Sequence, residues 1–212
     1  TGDQGRGLAH RFAAAGTPVI IGSRSVDRAH TAATEIAASL AGLDGSRSIR
    51  GMANADAATA ADVVIVAVPW AGHRDLLTGL AGQLTGKIVI DCVNPLGFDK
   101  RGAYPLRVAE GSAAEQAAEV LPGSRVVGAF HHVSAVVLLD PEVTRVDLDV
   151  MVLGDDRDAT DLVQELAARI PGVRGIYAGR LRNCGQVEAL TANLVSVNRR
   201  YKAHAGLRIT DV

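Results

Sequence analysis

Aromatic side chains are scarce in this chain of 212 residues: they make up 3%, with a single tryptophan. Residues classed as hydrophobic nevertheless reach 48%. The core must therefore be built from Ala, Val, Leu and Ile, as in parallel α/β sheets buried on both faces. Cysteine is nearly absent. Cys92 and Cys184 stand far apart and in no CxxC pattern, which argues against a disulfide framework and for a reducing compartment. Charge of one sign is lacking too, since the formal net charge is -1. That removes the global basic field expected of a nucleic-acid partner. No run approaches the roughly 20 apolar residues of a membrane span. No signal peptide is visible, although a chain that starts inside a motif could have lost one. The expectation is a soluble cytoplasmic protein with one sizeable domain and neither nucleic-acid nor membrane partners.

What is present is alternation. "GLAHRFAAAG" (Gly7–Gly16) places Leu8, Phe12 and Ala15 on one helical face and ends on a glycine. "TPVIIGSR" (Thr17–Arg24) predicts a buried strand, and Ser25–Gly42 a helix. Arg47–Asn54 is a weaker strand pattern, and "DVVIVAVPW" (Asp62–Trp70) the strongest one. A helix over His73–Leu84 and a strand over Lys87–Pro95 follow, then a loop rich in Gly and Pro. Ser112–Leu121 predicts a helix and Arg125–His132 a strand. Leu148–Asp156 and Val173–Gly179 predict strands with a helix, Asp158–Ile170, between them. Gln186–His204 is a long final helix. Strands alternating with helices imply βαβ units. The predicted fold is α/β, a Rossmann-like, doubly wound, mostly parallel sheet with a small C-terminal helical segment. The boundary falls near Leu181–Asn183, giving a dinucleotide-binding unit of residues 1–182 and a C-terminal helix and tail of residues 183–212.

The first seven residues, "TGDQGRG", carry the G-x-x-G half of a dinucleotide-binding turn in Gly2 and Gly5. Phosphates would sit on the N–H groups at the helix start, favoured by its dipole. The bland alternative is a glycine-bearing tail, and the amphipathic helix and buried strand that follow argue against it. NAD-preferring proteins place an acid at the end of the second strand. Here that place holds Ser23 and Arg24, with Arg28 on the next helix. Guanidinium groups suit a dianionic 2′-phosphate, so NADP is predicted; the alternative is a solvated helix start. Trp70 ends the strongest strand and has two open readings: it walls the site, or it packs under the next helix.

Taken together, "TGDQGRGLA", "IIGSRS", "AVPW", "GSAAEQAAEVLP" and "AFHHVSA" resemble the F420-dependent NADP reductases, over Thr1 to about Ile209. The resemblance implies hydride transfer between NADP(H) and the deazaflavin coenzyme F420, and a homodimer. It implies a phosphate turn of Thr1, Gly2, Asp3 and Gln4, and a 2′-phosphate grip of Ser23, Arg24 and Arg28. It implies strand-end contacts to NADP from Val68, Pro69 and Trp70. His131, Val133, Ser134 and Ala135 would lie where the nicotinamide and deazaflavin rings meet, bordered by Pro95 and by Leu207 of the tail. The family also has a strand and a glycine before the residue matching Thr1. A sheet without that strand is expected to bind NADP weakly and to be poorly stable.

Hydride exchange between two carriers asks the protein for distance, stacking and exclusion of water. No catalytic acid is therefore assigned. Backbone N–H groups near Ser134 and Ala135 could stabilise charge on the deazaflavin. His131 and His132, read as neighbours on a strand, would point to opposite faces and not share a metal. Asp155–Asp158 reads as a solvated turn. Arg199, Arg200 and Lys202 read either as an exposed helix end or as a grip on the anionic tail of the deazaflavin. Two rival functions remain: an NADPH-dependent reductase of another acceptor (a flavin, an imine or a metal-linked carrier), and a non-enzymatic NADP sensor.

Overall fold

The structure, a computed structural model, describes residues 1–41 and 49–212. The chain runs α1 (Asp3–Ala14), β1 (Val19–Ser23), α2 (Val26–Ser39), β2 (Ile49–Ala53), α3 (Asn54–Ala60), β3 (Val63–Val66) and α4 (His73–Leu84). It continues through β4 (Ile88–Asp91), a hairpin of β5 (Leu96–Asp99) and β6 (Gly102–Pro105), α5 (Ala113–Val120) and β7 (Arg125–Gly128). Then come α6 (Ala135–Leu139), β8 (Leu148–Gly154), α7 (Arg157–Ala168), β9 (Val173–Gly179), a 3-10 turn at Leu181–Asn183 and α8 (Cys184–Tyr201).

The alternation predicts this order well, because helix starts are chemically marked. Ser25 and Ser112 cap α2 and α5 by accepting from the N–H of Arg28 and Glu115, and Asp156 caps α7 from Ala159. The 3-10 turn sits at the expected boundary. Gly42, Arg47 and Ser48, at the ends of two predicted elements, lie outside the described residues.

A five-stranded sheet has the order β3-β4-β7-β8-β9, and all its pairs are parallel except β7–β8. Its central strands read as unbroken apolar runs because both faces are covered. Ile88 and Ile90 point into a cluster with Leu8, Phe12 and Val163. Val89, between them, points into the opposite cluster with Leu77, Leu84 and Val187. β1 and β2 form a separate parallel pair, packed against α2. Among the described residues β1 pairs only with β2, and β3 only with β4. Between the facing edges of β1 and β3 lies an apolar cavity of about 640 Å³, lined along Val19–Gly22 and Val63–Val68.

Several expectations need correction. The strongest apolar run forms a strand only over Val63–Val66, and it is mostly half-buried, since its outer edge faces the cavity. Helix α1 begins at Asp3, and Ala15 lies exposed beyond its end. The Gly/Pro-rich loop contains the β5–β6 hairpin, whose turn is fixed by Asp99 accepting from the N–H groups of Arg101 and Gly102. Helices α3 and α6 are too short for a periodic signal to reveal. His131 and His132 do not belong to a strand. β7 ends at Gly128, and Phe130 turns into the left-handed region at φ 63°, which breaks the ladder before the histidines.

Candidate active site

Strands β3, β4 and β7 end in one row, with Val66, Asp91 and Gly128 in register. The segments Ala67–Trp70, Cys92–Pro95 and Ala129–Ser134 leave the sheet side by side from that row. Such an edge, at the carboxyl ends of parallel strands, is where open α/β sheets bind ligands. Helix α1 starts beside it. Gly5 packs against Ala67, since a Cβ built there would lie 3.4 Å from Ala67 Cβ, and the side-chain amide of Gln4 donates to the Phe130 carbonyl at 3.3 Å.

At the start of α1, Gly2 is the N-cap, has no side-chain cap and has open space around it. Thr1, Gly2 and Asp3 are exposed, and Gln4 and Gly5 half-buried. The first N–H groups of the helix are thus left for an anion to accept, with backbone room for it to approach. Ser23 ends β1 and is buried, its hydroxyl accepting from the Ser25 N–H at 3.2 Å. Arg24 and Arg28 are exposed, and neither is ion-paired among the described residues. Their guanidinium groups are available to a 2′-phosphate. Val68 and Trp70 are half-buried and Pro69 exposed. The Trp70 ring lies 5.5 Å from that of His73, the first residue of α4. Of the two readings of Trp70, packing against the following helix is the one this contact favours.

The second part of the site is the turn after β7. His131 and His132 are both buried, and their rings lie 6.4 Å apart. The His132 Nε2–H donates to the Val187 carbonyl at 2.6 Å. Among the described residues His131 has no hydrogen-bond partner at either ring nitrogen. Burial and the neighbouring His132 push its pKa down to about 3, so it is a neutral imidazole with an unused donor and an unused acceptor. Its backbone is held from both sides: Asn94 and Thr191 donate to the His131 carbonyl at 3.0 and 3.3 Å. The Asn94 side-chain oxygen is itself buried without a partner. Unsatisfied buried polar groups cost about 1–3 kcal/mol each, and their clustering marks where a polar ligand would be received. Val133 is buried, Ser134 precedes α6 at the N-cap position without a side-chain cap bond, and Ala135 opens the helix. Pro95 is buried one residue beyond Asn94.

Leu207 reaches this region through its main chain. Its carbonyl accepts from the Asp149 N–H at 2.8 Å. Asp149 lines a small cleft with His131, His132 and Val133. The tail is pinned there because the buried Asp149 carboxylate takes Arg174 at 2.6 Å, Arg208 at 2.8 Å and the Ile209 N–H at 2.7 Å. The Arg174 bond and its other donors hold its pKa far below the usual carboxylate range, against burial.

Sequence reasoning misses three groups. Asn94 is hidden in a predicted strand end; its place before Pro95 is the signal that could have found it. His73 reads only as a helix start, yet it is fully buried, with Nε2 on Asp91 at 2.6 Å and Nδ1 on Gln116 at 2.9 Å. Burial opposes its protonation, but the Asp91 bond and charge, with Gln116, raise its pKa above the ordinary value. Arg11 carries no signal of its own within α1. Among the described residues no group of three or more His, Cys, Asp and Glu could hold a metal ion, and no helix is long and apolar enough to cross a membrane.

Fold and site together define an NADP-linked Rossmann-like oxidoreductase, and comparison with known proteins narrows the class. Residues 1–95 match the family model described as NADP oxidoreductase, coenzyme F420-dependent. The F420-dependent NADP reductase of Methanothermobacter thermautotrophicus is 42% identical over the whole chain and 92% of its own length. That of Methanocaldococcus jannaschii is 39% identical over the whole chain and 96% of its length. A solved structure of a candidate F420-dependent NADP reductase from Arthrobacter sp. FB24 superposes with a TM-score of 0.80 at 26% identity, covering 99% of this chain and 96% of that one. An imine reductase from Streptomyces aurantiacus shares the fold alone, at 19% identity and TM-score 0.60, over 94% of this chain and 59% of that one. The chain belongs to the F420-dependent NADP reductase family.

Proposed function

We propose that this protein transfers a hydride between NADP(H) and coenzyme F420. The observation that carries the reading is the adjacency of two different receptive sites. An uncapped helix start with exposed arginines nearby suits a phosphorylated dinucleotide, and in the buried turn beside it the His131 ring nitrogens and the Asn94 side-chain oxygen have no partner among the described residues. A sensor of NADP alone would have no use for the second.

The two cofactors supply the hydride donor and acceptor. The chain's own residues bind, orient and exclude water. The N–H groups of Asp3, Gln4 and Gly5 would take the pyrophosphate, with Thr1 and Gly2 lining the approach. Ser23, Arg24 and Arg28 would take the 2′-phosphate by charge-assisted bonds. Val68, Pro69 and Trp70 would border the nicotinamide half. His131, Val133, Ser134 and Ala135 would border the ring junction, with Pro95 on one side and the Leu207 tail on the other. A neutral His131 can give one hydrogen bond and accept another, but it does not donate a proton as an acid near neutrality. Backbone N–H groups at Ser134 and Ala135 would offset charge on the deazaflavin.

The same reading includes a dinucleotide-binding unit of residues 1–182 and a C-terminal helix and tail of residues 183–212. It gives the cavity between β1 and β3 room for a further parallel strand. It also includes a homodimer working in the cytoplasm. The deciding experiment mixes protein, NADPH and oxidised F420 and follows the visible absorbance of F420. Bleaching at a rate proportional to protein is expected. Saturable NADPH binding with no bleaching would discard the enzyme reading in favour of a sensor. Replacing His131 and His132 singly by alanine is expected to raise the KM for F420 and to leave no acidic limb in the kcat profile that tracks either residue.

A further inference from the structure

Helix α1 carries the phosphate turn, and the turn after β7 carries the second site. One buried side chain ties α1 to the helix that follows this turn, α6. Arg11 is 7% exposed. Among the described residues its guanidinium donates only to main-chain carbonyls: Nε to Leu138 at 2.8 Å, Nη1 to Val143 at 2.5 Å, and Nη2 to Val137 and Asp140 at 2.7 and 2.9 Å. No carboxylate lies within ion-pair distance of it among the described residues; Asp140 acts on it through space. The carbonyls it takes are those at the end of α6 and in the loop beyond. A helix of five residues cannot satisfy its own last carbonyls. Arg11 does this for it, with a cation at the negative end of the helix.

Three further contacts tie the same two elements. A Cβ built on Gly7 would lie 2.6 Å from Leu138 Cβ, so α1 and α6 touch where only glycine fits. The rings of Phe12 and Phe130 meet edge to face at 5.9 Å. Gln4 donates to the carbonyl of that same Phe130, which holds a left-handed backbone. A left-handed non-glycine residue persists only where its surroundings over-determine it. Here those surroundings come from α1.

We infer that Arg11 is a positioning residue: by tying α6 to α1 it sets the place of the His131–Ala135 segment relative to the phosphate turn. The inference rests on the proposed two-cofactor reaction. It assigns Arg11 no contact with either cofactor.

The test compares wild type with Arg11→Met, Arg11→Lys and Gly7→Ala. Gly7→Ala crowds Leu138 of α6 one helical turn before Arg11 and leaves the guanidinium intact. Amide hydrogen exchange on the protein alone is the first readout. In Arg11→Met, exchange over Ser134–Asp140 should speed up about tenfold or more, while β4 and β7 keep their protection. Binding and kinetics are the second readout. The Kd for NADPH should change less than about threefold, while kcat/KM for F420 falls about 10- to 100-fold, the scale of a misplacement near 1 Å. Arg11→Lys should recover part of the loss. Gly7→Ala should repeat the split even if Arg11→Met folds poorly. Unchanged exchange over Ser134–Asp140, or equal losses in NADPH binding and F420 turnover, would overturn the inference. A wild-type protein that never reduces F420 would remove the functional reading instead, and the exchange data would still judge the mechanical link.

Discussion

The two edges of the central slot contrast with the strands deeper in the sheet. β4 has a hydrogen-bonded neighbour on each side, and all its residues are buried. Among the described residues β1 and β3 each lack a neighbour on the side that faces the 640 Å³ cavity, and most of their residues are only half-buried although their sequences are as apolar as that of β4. Burial is thus set by what flanks a strand, not by its composition. The loosely supported half is also the half that carries the uncapped start of α1, proposed for the pyrophosphate, and the exposed Arg24 and Arg28.

The contrast predicts unequal costs for equal substitutions. Ile90 in β4 is fully buried, so Ile90→Ala should destabilise by about 4 kcal/mol, transfer and cavity terms together. Ile65 in β3 borders an existing cavity, and Ile65→Ala should cost about 1 kcal/mol, because little new void is created. Urea unfolding of both variants measures the difference. Equal losses would mean that the cavity closes in solution and that the two halves are alike.

The closed half also holds a buried carboxyl group that titrates near neutrality. Glu188 accepts from the N–H groups of Ala113 and Ala114 at 2.9 and 3.2 Å, capping α5 from α8. Burial pushes its pKa up from 4.5 to about 7, against those two bonds, with Asp91 raising it and His73 lowering it. The folded pKa exceeds the unfolded one, so between pH 4.5 and 7 the folded state binds more protons. Stability from this group is full below that window and lost as pH rises through about 7, by about 3 kcal/mol at most. His73, whose pKa is also raised, acts in the same direction. Urea midpoints of wild type and Glu188→Gln at pH 5 and pH 8 check this. The wild type should lose more stability than the variant on going to the higher pH, and a parallel loss in both would sink the assignment.

Filling the slot should erase the contrast. Joining five apolar residues and a glycine to Thr1 would add a strand between β1 and β3. Burial of about 2 kcal/mol for each of the five side chains, against roughly 1.5 kcal/mol of ordering for each of the six residues, leaves about 1 kcal/mol. That is roughly 2–4 °C in Tm, with tighter NADPH binding and a larger cost for Ile65→Ala. No change in Tm, with β1 and β3 amides exchanging as before, would mean that the slot does not accept a strand.

The same contrast explains what could be read from the sequence. The apolar runs of Ile88–Asp91 and Leu148–Gly154 were legible because period and composition alone define a strand between helices. The caps Ser25, Ser112 and Asp156 were legible because their chemistry is local. The glycine-bearing start of α1 and the place of Ser23 and Arg24 at the end of β1 were legible because both are local to the chain. The left-handed turn at Phe130 was not, because it depends on Phe12 and Gln4, more than a hundred residues away. Nor were Arg11 and His73. Nothing in their neighbours along the chain distinguishes a buried arginine or histidine from a surface one; their partners come from α6, β4 and α5.

The smallest expected effect belongs to the exposed charges of the open half. Arg24 and Arg28 stand in water with no partner among the described residues, so neither stabilises the fold appreciably, and Arg24→Ala should leave Tm unchanged. Its cost should appear only with the ligand. Charge-assisted bonds to a 2′-phosphate are worth roughly 1.5–2 kcal/mol each at an exposed site, or about 10- to 30-fold in the KM for NADPH. NADH lacks that phosphate, so its KM should stay as it is. Added salt should weaken NADPH binding to wild type more than to the variant, because screening acts on exposed charges. A variant that weakens NADH and NADPH alike would show that Arg24 shapes the loop instead of reading the phosphate. The nicotinamide preference would then have to lie with Ser23 and Arg28.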